Sequence, residues 1–225
     1  MSRSDVINAI ADHLIRLSLG HPVRVAIDGR TASGKTTLSD ELAAAVSNRG
    51  RPVIRTSIDG FHRPKAERYA RGRHSAEGYY FDARDLSAVT KLLLEPLGAG
   101  GNRLYRTASF DLDADVSIEQ EPKLAEQDAI LIVDGTFLQR EELRAHWDRA
   151  IFVKTSAEVS ESRGLRRDMD RLGGEAAAKE LYATRYRPAF ELYERLSQPE
   201  NICDMIVDND DLHSPHLRLP AGRQV

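Results

Sequence analysis

The stretch PVRVAIDGRTASGKTTL, residues 22–38, narrows the folds open to this chain more than any other. A β-branched apolar run stops at Gly29, a turn follows, and TTLSDELAAAVSNRG continues with helical spacing to a closing Gly50. The pattern then recurs: PVIRTSID (52–59), AILIVDG (129–135), AIFVKT (150–155) and DMIVDN (204–209) are interleaved with helical stretches near 85–95, 139–147, 156–171 and 175–198. Strands that are apolar almost throughout must be covered on both faces, so with helices between them they predict a parallel sheet in an α/β fold. A helix over 4–19, capped by Ser4 and carrying Val6, Ile10, Leu14 and Leu17, precedes the series.

Gly29-Arg30-Thr31-Ala32-Ser33-Gly34-Lys35-Thr36 matches G-x-x-x-x-G-K-[ST] and sits in the context the motif requires, after a strand and at the start of a helix. Its glycines let backbone N–H groups curl around an anion, and the helix N-terminus adds partial positive charge. The predicted nucleotide contacts are Gly29, Thr31, Ala32, Ser33, Gly34, Lys35, Thr36 and Thr37, with Lys35 on the β and γ phosphates and Thr36 on Mg²⁺. An N-K-x-D base-reading motif, expected of a GTP-specific switch, is absent.

Ligands gather at the carboxyl ends of parallel strands, and aspartates close three of them. Asp134 ends the apolar run AILIV and is the predicted second Mg²⁺ residue; its alternative is a turn cap in DGTF. Asp28, directly before the cradle, reads as structural. Asp59 is the candidate base that takes a proton from an incoming hydroxyl, or a member of the Mg²⁺ shell; its alternative is an Asx turn before Gly60.

Two clusters of positive charge accompany these acids. Asp59 is followed by Arg63, Lys65, Arg68, Arg71 and Arg73, a run read either as an anion clamp for the acceptor or as a solvated loop. Further on, a T-x-x-E capping box at Thr155 and Glu158 launches a helix on which Arg163, Arg167 and Arg171 share one face, with Arg166 adjoining. Arg163 and Arg167 are the candidates to close over the γ-phosphate, hinged at Gly173 and Gly174; pairing with Glu161, Asp168 and Asp170 is the competing explanation. Tyr182, Tyr186, Phe190 and Tyr193 fall on helical spacing and read as core, with Pro188 bending that helix or starting another. DLDADV (111–116) lacks the glycine and glutamate of a calcium loop and reads instead as part of an inserted hairpin.

Composition bounds the partners. A net charge of -3 over 225 residues provides no global field for nucleic acid or an anionic membrane, so the basic run is a local device. A single cysteine, Cys203, excludes an internal disulfide framework and suits a reducing compartment as buried filler. Asp5, Asp12 and His13 interrupt the apolar residues of the N-terminal stretch, and no later run approaches a membrane span, which gives a cytoplasmic expectation. Nothing in the chain requires or forbids a homo-oligomer.

IDGRTASGKTT, SIDGFHRP, YYFD, ILIVDGTFL, the Arg163–Arg171 cluster and RYRPAF together resemble the uridine kinase and phosphoribulokinase group of P-loop kinases, over roughly residues 20–210. The resemblance implies a three-layer P-loop NTPase fold, a single domain over 1–225 with a five-stranded parallel sheet. It also implies a substrate-side insertion at 60–128 and an arginine-bearing lid at 156–174. ATP is then the donor and Asp59 the catalytic base, with Phe61 and His62 completing D-x-F-[HY]. Phe81 and Asp82 resemble the pair used near the ribose, and Tyr105 the tyrosine of a Tyr-Asp-Phe segment. The histidine that helps uridine kinases hold the nucleoside has no counterpart between His74 and His146. Arg68 and Arg71 in the basic segment would suit an acceptor that already carries phosphate, as in phosphoribulokinase. The leading expectation is phosphorylation of a hydroxyl on a small acceptor, a nucleoside first and a phosphorylated sugar second. A nucleotide-dependent regulatory switch is the alternative from another class.

Overall fold

The computed structural model describes residues 2–220. Chain order runs α1 (Arg3–Ile15), β1 (Val23–Gly29), α2 (Lys35–Ser47), β2 (Val53–Ser57), α3 (Lys65–Arg68) and α4 (Leu86–Val89). An insertion of short strands follows: β3 (Leu104–Tyr105), β4 (Phe110–Asp111), β5 (Val116–Ser117) and β6 (Lys123–Leu124). The chain then returns to the body with β7 (Ile130–Gly135), α5 (Glu141–Arg144) and β8 (Arg149–Lys154). It closes with α6 (Ala157–Leu172), α7 (Glu175–Leu181), α8 (Arg187–Ser197), α9 (Pro199–Ile202), β9 (Met205–Asp208) and β10 (His216–Arg218).

The main sheet has the order β10-β9-β8-β1-β7-β2. Its five expected strands are mutually parallel, and β10 adds an antiparallel sixth at the edge, where Leu217 pairs with Val207. A three-residue strand ending a polar loop has too little apolar pattern to be seen in the sequence. Alternation along the central strands explains their continuous hydrophobicity. Val23, Val25 and Ile27 of β1 and Ile130 and Ile132 of β7 pack under α1 and α2, while Ala26, Leu131 and Val133 enter the opposite core with Phe152, Phe190 and Tyr193. No helix of the described residues is long and apolar enough to cross a membrane.

Three local expectations change. The N-cap of α1 is Ser2, whose hydroxyl accepts from Asp5 N while Asp5 Oδ2 accepts from Ser2 N at 2.8 Å, a reciprocal box that Ser4 does not make. Ser156, not Thr155, caps α6 by accepting from Val159 N, which leaves the Thr155 hydroxyl for the loop at Ser33. Between α7 and α8 the helix widens into a π turn, Tyr182–Tyr186, immediately before Pro188. The ring has no N–H and would crowd the preceding turn, and the wider turn accommodates it.

Candidate active site

Three neighbouring strands deliver the site. β1 ends in the loop 29–34, β7 ends at Asp134, and β2 runs into a 3₁₀ turn, Ile58–Phe61, that carries Asp59. Residues three apart eclipse in such a turn, so Ile58 and Phe61 both enter the core and Asp59 faces out. Gly135 lets this turn close down on β7, since a Cβ there would lie 2.3 Å from Ile58 Cγ2.

In the loop, Lys35 Nζ folds back to donate to the Arg30 carbonyl at 2.5 Å. Burial pushes its ammonium down to about 8, against the pull of Asp28, Asp134 and Asp59. Thr36 Oγ1 donates to Asp134 Oδ2 at 2.6 Å, bringing the two predicted metal residues together. Asp134 is buried, and its Oδ1 makes no hydrogen bond although Arg55 Nη1 lies 2.7 Å away, a charge contact without hydrogen-bond alignment. A hydroxyl and a buried carboxylate with an unsatisfied oxygen are hard donors that fit Mg²⁺ completed by water and phosphate oxygens. Ala32, Gly34, Lys35, Thr36 and Thr37 line one groove with Arg163 and Arg167. Asp28 is fully buried beneath the loop, accepting hydrogen bonds from Tyr193 Oη, Gln139 Nε2 and Gly29 N, so it is a structural residue as expected.

Beside the groove lies a cavity of about 430 Å³ lined by Thr31, Asp59, His62, Arg68, Tyr79, Arg84 and Arg167. The nucleotide loop and Asp59 therefore face the same space, and Arg167 borders both groove and cavity. Arg84 Nη2 donates to Asp59 Oδ1 at 2.6 Å. Asp59 opens onto the cavity; desolvation there would raise its carboxyl, but the Arg84 guanidinium, with the Lys35 ammonium, holds it below its ordinary value. Burial and the Arg84 charge push the His62 imidazole down to about 3, so the ring is neutral. Its Nδ1 lies 2.8 Å from the Asp59 carbonyl, which can only accept; the proton is therefore on Nδ1 and Nε2 is an acceptor.

Several predicted acceptor residues lie elsewhere. Phe61 is 0% exposed and is a packing residue. Arg71 donates to Asp82 Oδ2 at 2.8 Å and stacks over Phe81, so these three form a surface cluster outside the cavity, because the turn after α3 carries Arg71 away from Asp59. Tyr105, on β3, packs half-buried against the core under the insertion. Arg68 does line the cavity, bonded to Asp115 Oδ1 at 2.7 Å. On α6 the two candidate arginines diverge: Arg163 donates to the carbonyls of Asn209 and Asp210, whereas Arg167 makes a fork to Asp168 from a largely exposed position. Arg84 was not foreseen. Its contact with Asp59 comes from an antiparallel bridge of His62 to Arg84, and no local spacing signals that pairing.

A Gly-rich loop at the end of a parallel strand, a hydroxyl–carboxylate pair beside it and a carboxylate-bearing cavity next to both are the arrangement of a P-loop kinase acting on a small substrate, the class to which the family match assigns the chain. The model of the phosphoribulokinase/uridine kinase family matches residues 24–208, and the chain belongs to that family. It is 30% identical over 177 residues to uridine-cytidine kinase B of Dictyostelium discoideum, covering 77% of this chain and 70% of the relative. It is 28% identical over 210 residues to uridine kinase-like protein 5 of Arabidopsis thaliana, covering 89% of this chain but only 43% of that protein. The structure of a possible uridine kinase from Bacillus stearothermophilus superposes with a TM-score of 0.73 at 22% identity, over 91% of this chain and 98% of the other, a likeness of fold.

Proposed function

We propose that the protein transfers the γ-phosphoryl group of ATP to a hydroxyl of a small acceptor, in the cytoplasm. The supporting observation is the shared cavity: Thr31 of the cradle and Asp59 line one space, with Arg167 between it and the phosphate groove. The acceptor oxygen forms a bond to the γ-phosphorus as the bond to the β-γ bridging oxygen breaks, releasing ADP. Asp59 Oδ2, which has no hydrogen bond among the described residues, receives the hydroxyl proton while Arg84 holds Oδ1. A carboxylate of lowered basicity suits a loose transition state in which the acceptor oxygen has formed little of its bond to phosphorus. Thr36 and Asp134 would hold Mg²⁺, which supplies charge neutralisation at the phosphates. Lys35 leaves the Arg30 carbonyl for the β and γ oxygens. Arg167 exchanges Asp168 for the transferring group as segment 156–174 closes like a lid.

The named relatives favour a nucleoside acceptor, with Tyr79 and Tyr186 as apolar walls of the cavity. A second reading, an acceptor that already carries an anionic group, is favoured by one observation. Arg68 Nε and Arg84 Nε and Nη1 are buried in that region without hydrogen-bond partners, and unmade bonds of this kind are costly unless a ligand completes them. An ADP-release screen against nucleosides, pentose phosphates, pantothenate and nicotinamide riboside separates the readings. With the acceptor found, Asp59→Asn is expected to lower kcat by about 10²–10⁴-fold with ATP affinity retained. Turnover equal to wild type rejects Asp59 as the base, and a screen that finds no acceptor favours a regulatory switch.

A further inference from the structure

We propose that Asn209, seconded by Thr155, is a positioning residue of the donor site: the two side chains lock the Ser33–Gly34 peptide with the Gly34 N–H turned into the phosphate cradle. This rests on the reading of residues 29–36 as the nucleotide loop.

The carbonyl of Ser33 accepts from Asn209 Nδ2 at 2.7 Å and from Thr155 Oγ1 at 3.3 Å. Asn209 is 1% and Thr155 5% exposed, so water does not compete for that oxygen. Across a trans peptide the C=O and the following N–H point in opposite directions, and the described chain has no cis bond. Pinning the carbonyl toward β8 and β9 therefore aims the Gly34 N–H the other way, into the loop. The amide has one satisfying orientation, because Arg3 Nη1 donates to its Oδ1 at 3.3 Å and the Ser33 carbonyl can only accept from its Nδ2. Asn209 is itself held firmly: its N–H donates to the Lys154 carbonyl at 2.8 Å, and its own carbonyl accepts from Arg163 Nη1 at 3.0 Å.

Gly34 completes the fit. Its φ is +93°, and a Cβ there would lie 2.6 Å from Asn209 Nδ2, so the second glycine of the motif both adopts the left-handed turn and leaves room for the amide. The benefit is preorganisation. Converging N–H groups of an anion nest repel one another when no anion is present, and a peptide flip relieves that repulsion. Here a flip would strand two buried donors. The N–H is thus already directed when phosphate arrives, and Arg163, which borders the groove, also ties α6 to the residue that steers the loop.

Calorimetric ADP titration of the full chain with Mg²⁺, paired with thermal unfolding without nucleotide, tests this. Asn209→Asp keeps the side-chain size and the oxygen facing Arg3 but presents an acceptor to the Ser33 carbonyl. It is expected to weaken ADP about tenfold in a protein that still unfolds cooperatively, with a midpoint at or below that of wild type. Thr155→Val, which brings no charge near the phosphates, is expected to weaken ADP about threefold or more, and Thr155→Ser to restore it. ADP affinity within twofold of wild type in both Asn209→Asp and Thr155→Val, or a Thr155→Ser protein as weak as Thr155→Val, overturns the proposal. A wild-type protein that binds no ADP overturns the donor-site reading and this inference with it.

Discussion

Arg84 Nη2 meets Asp59 Oδ1 at 2.6 Å, so the candidate base works beside a permanent positive charge. That charge, opposing desolvation in the cavity, keeps the carboxylate ionised to lower pH than a free aspartate. Activity that needs ionised Asp59 is lost as pH falls through its lowered pKa. In Arg84→Met the acidic limb of the kcat profile is expected to move to higher pH. A limb that stays in place, or moves to lower pH, shows that Asp59 is not the group titrating.

Lys35 gives the opposite limb. With a pKa of about 8 in the ligand-free site, it is about nine-tenths charged at pH 7 and about one-tenth at pH 9. ADP affinity is therefore expected to fall as pH rises through 8, and binding near that pH should take up a proton as the phosphates restore the ammonium. Calorimetry in two buffers of different ionisation enthalpy reads the uptake directly. No proton exchange near pH 8 would mean that the lysine is already charged in the free protein.

The basic run divides at its middle. Arg68 borders the cavity, while Arg71 is bound to Asp82 on the outside. Arg68→Ala is expected to raise the acceptor KM about tenfold or more, with ATP KM little changed. Arg71→Ala should leave both close to wild type. Equal effects of the two substitutions would contradict this placement.

Helix α6 packs through a glycine. A Cβ on Gly164 would lie 1.8 Å from Tyr182 Oη, whose hydroxyl donates to Asp168, the acid that holds Arg167. Gly164→Ala must push that ring aside, an overpacking cost of about 1–3 kcal/mol. Hydrogen exchange is expected to show faster opening of 157–186 with the sheet unaffected. Unchanged protection of α6 would show that the ring moves freely.

Much of this protein was present in the order of its amino acids. Continuous apolar strands between amphipathic helices can bury both faces only in a covered parallel sheet, and the cradle is eight consecutive residues whose turn and helix start are local properties. Asp134, next to last in β7, and Asp59, two residues past β2, were visible for the same reason, since position along an apolar run shows which end of the strand a residue follows. Tertiary structure alone decided which charged groups meet. Asp59 and Arg84 are 25 residues apart and Ser33 and Asn209 are 176 apart, distances over which spacing carries no information. Phe61, Arg68 and Arg71 belong to one short segment, yet one enters the core, one the cavity and one the outer surface. Local sequence records interactions within a few residues; the environment of a side chain depends on which remote segment folds against it, and that is set only when the whole chain packs.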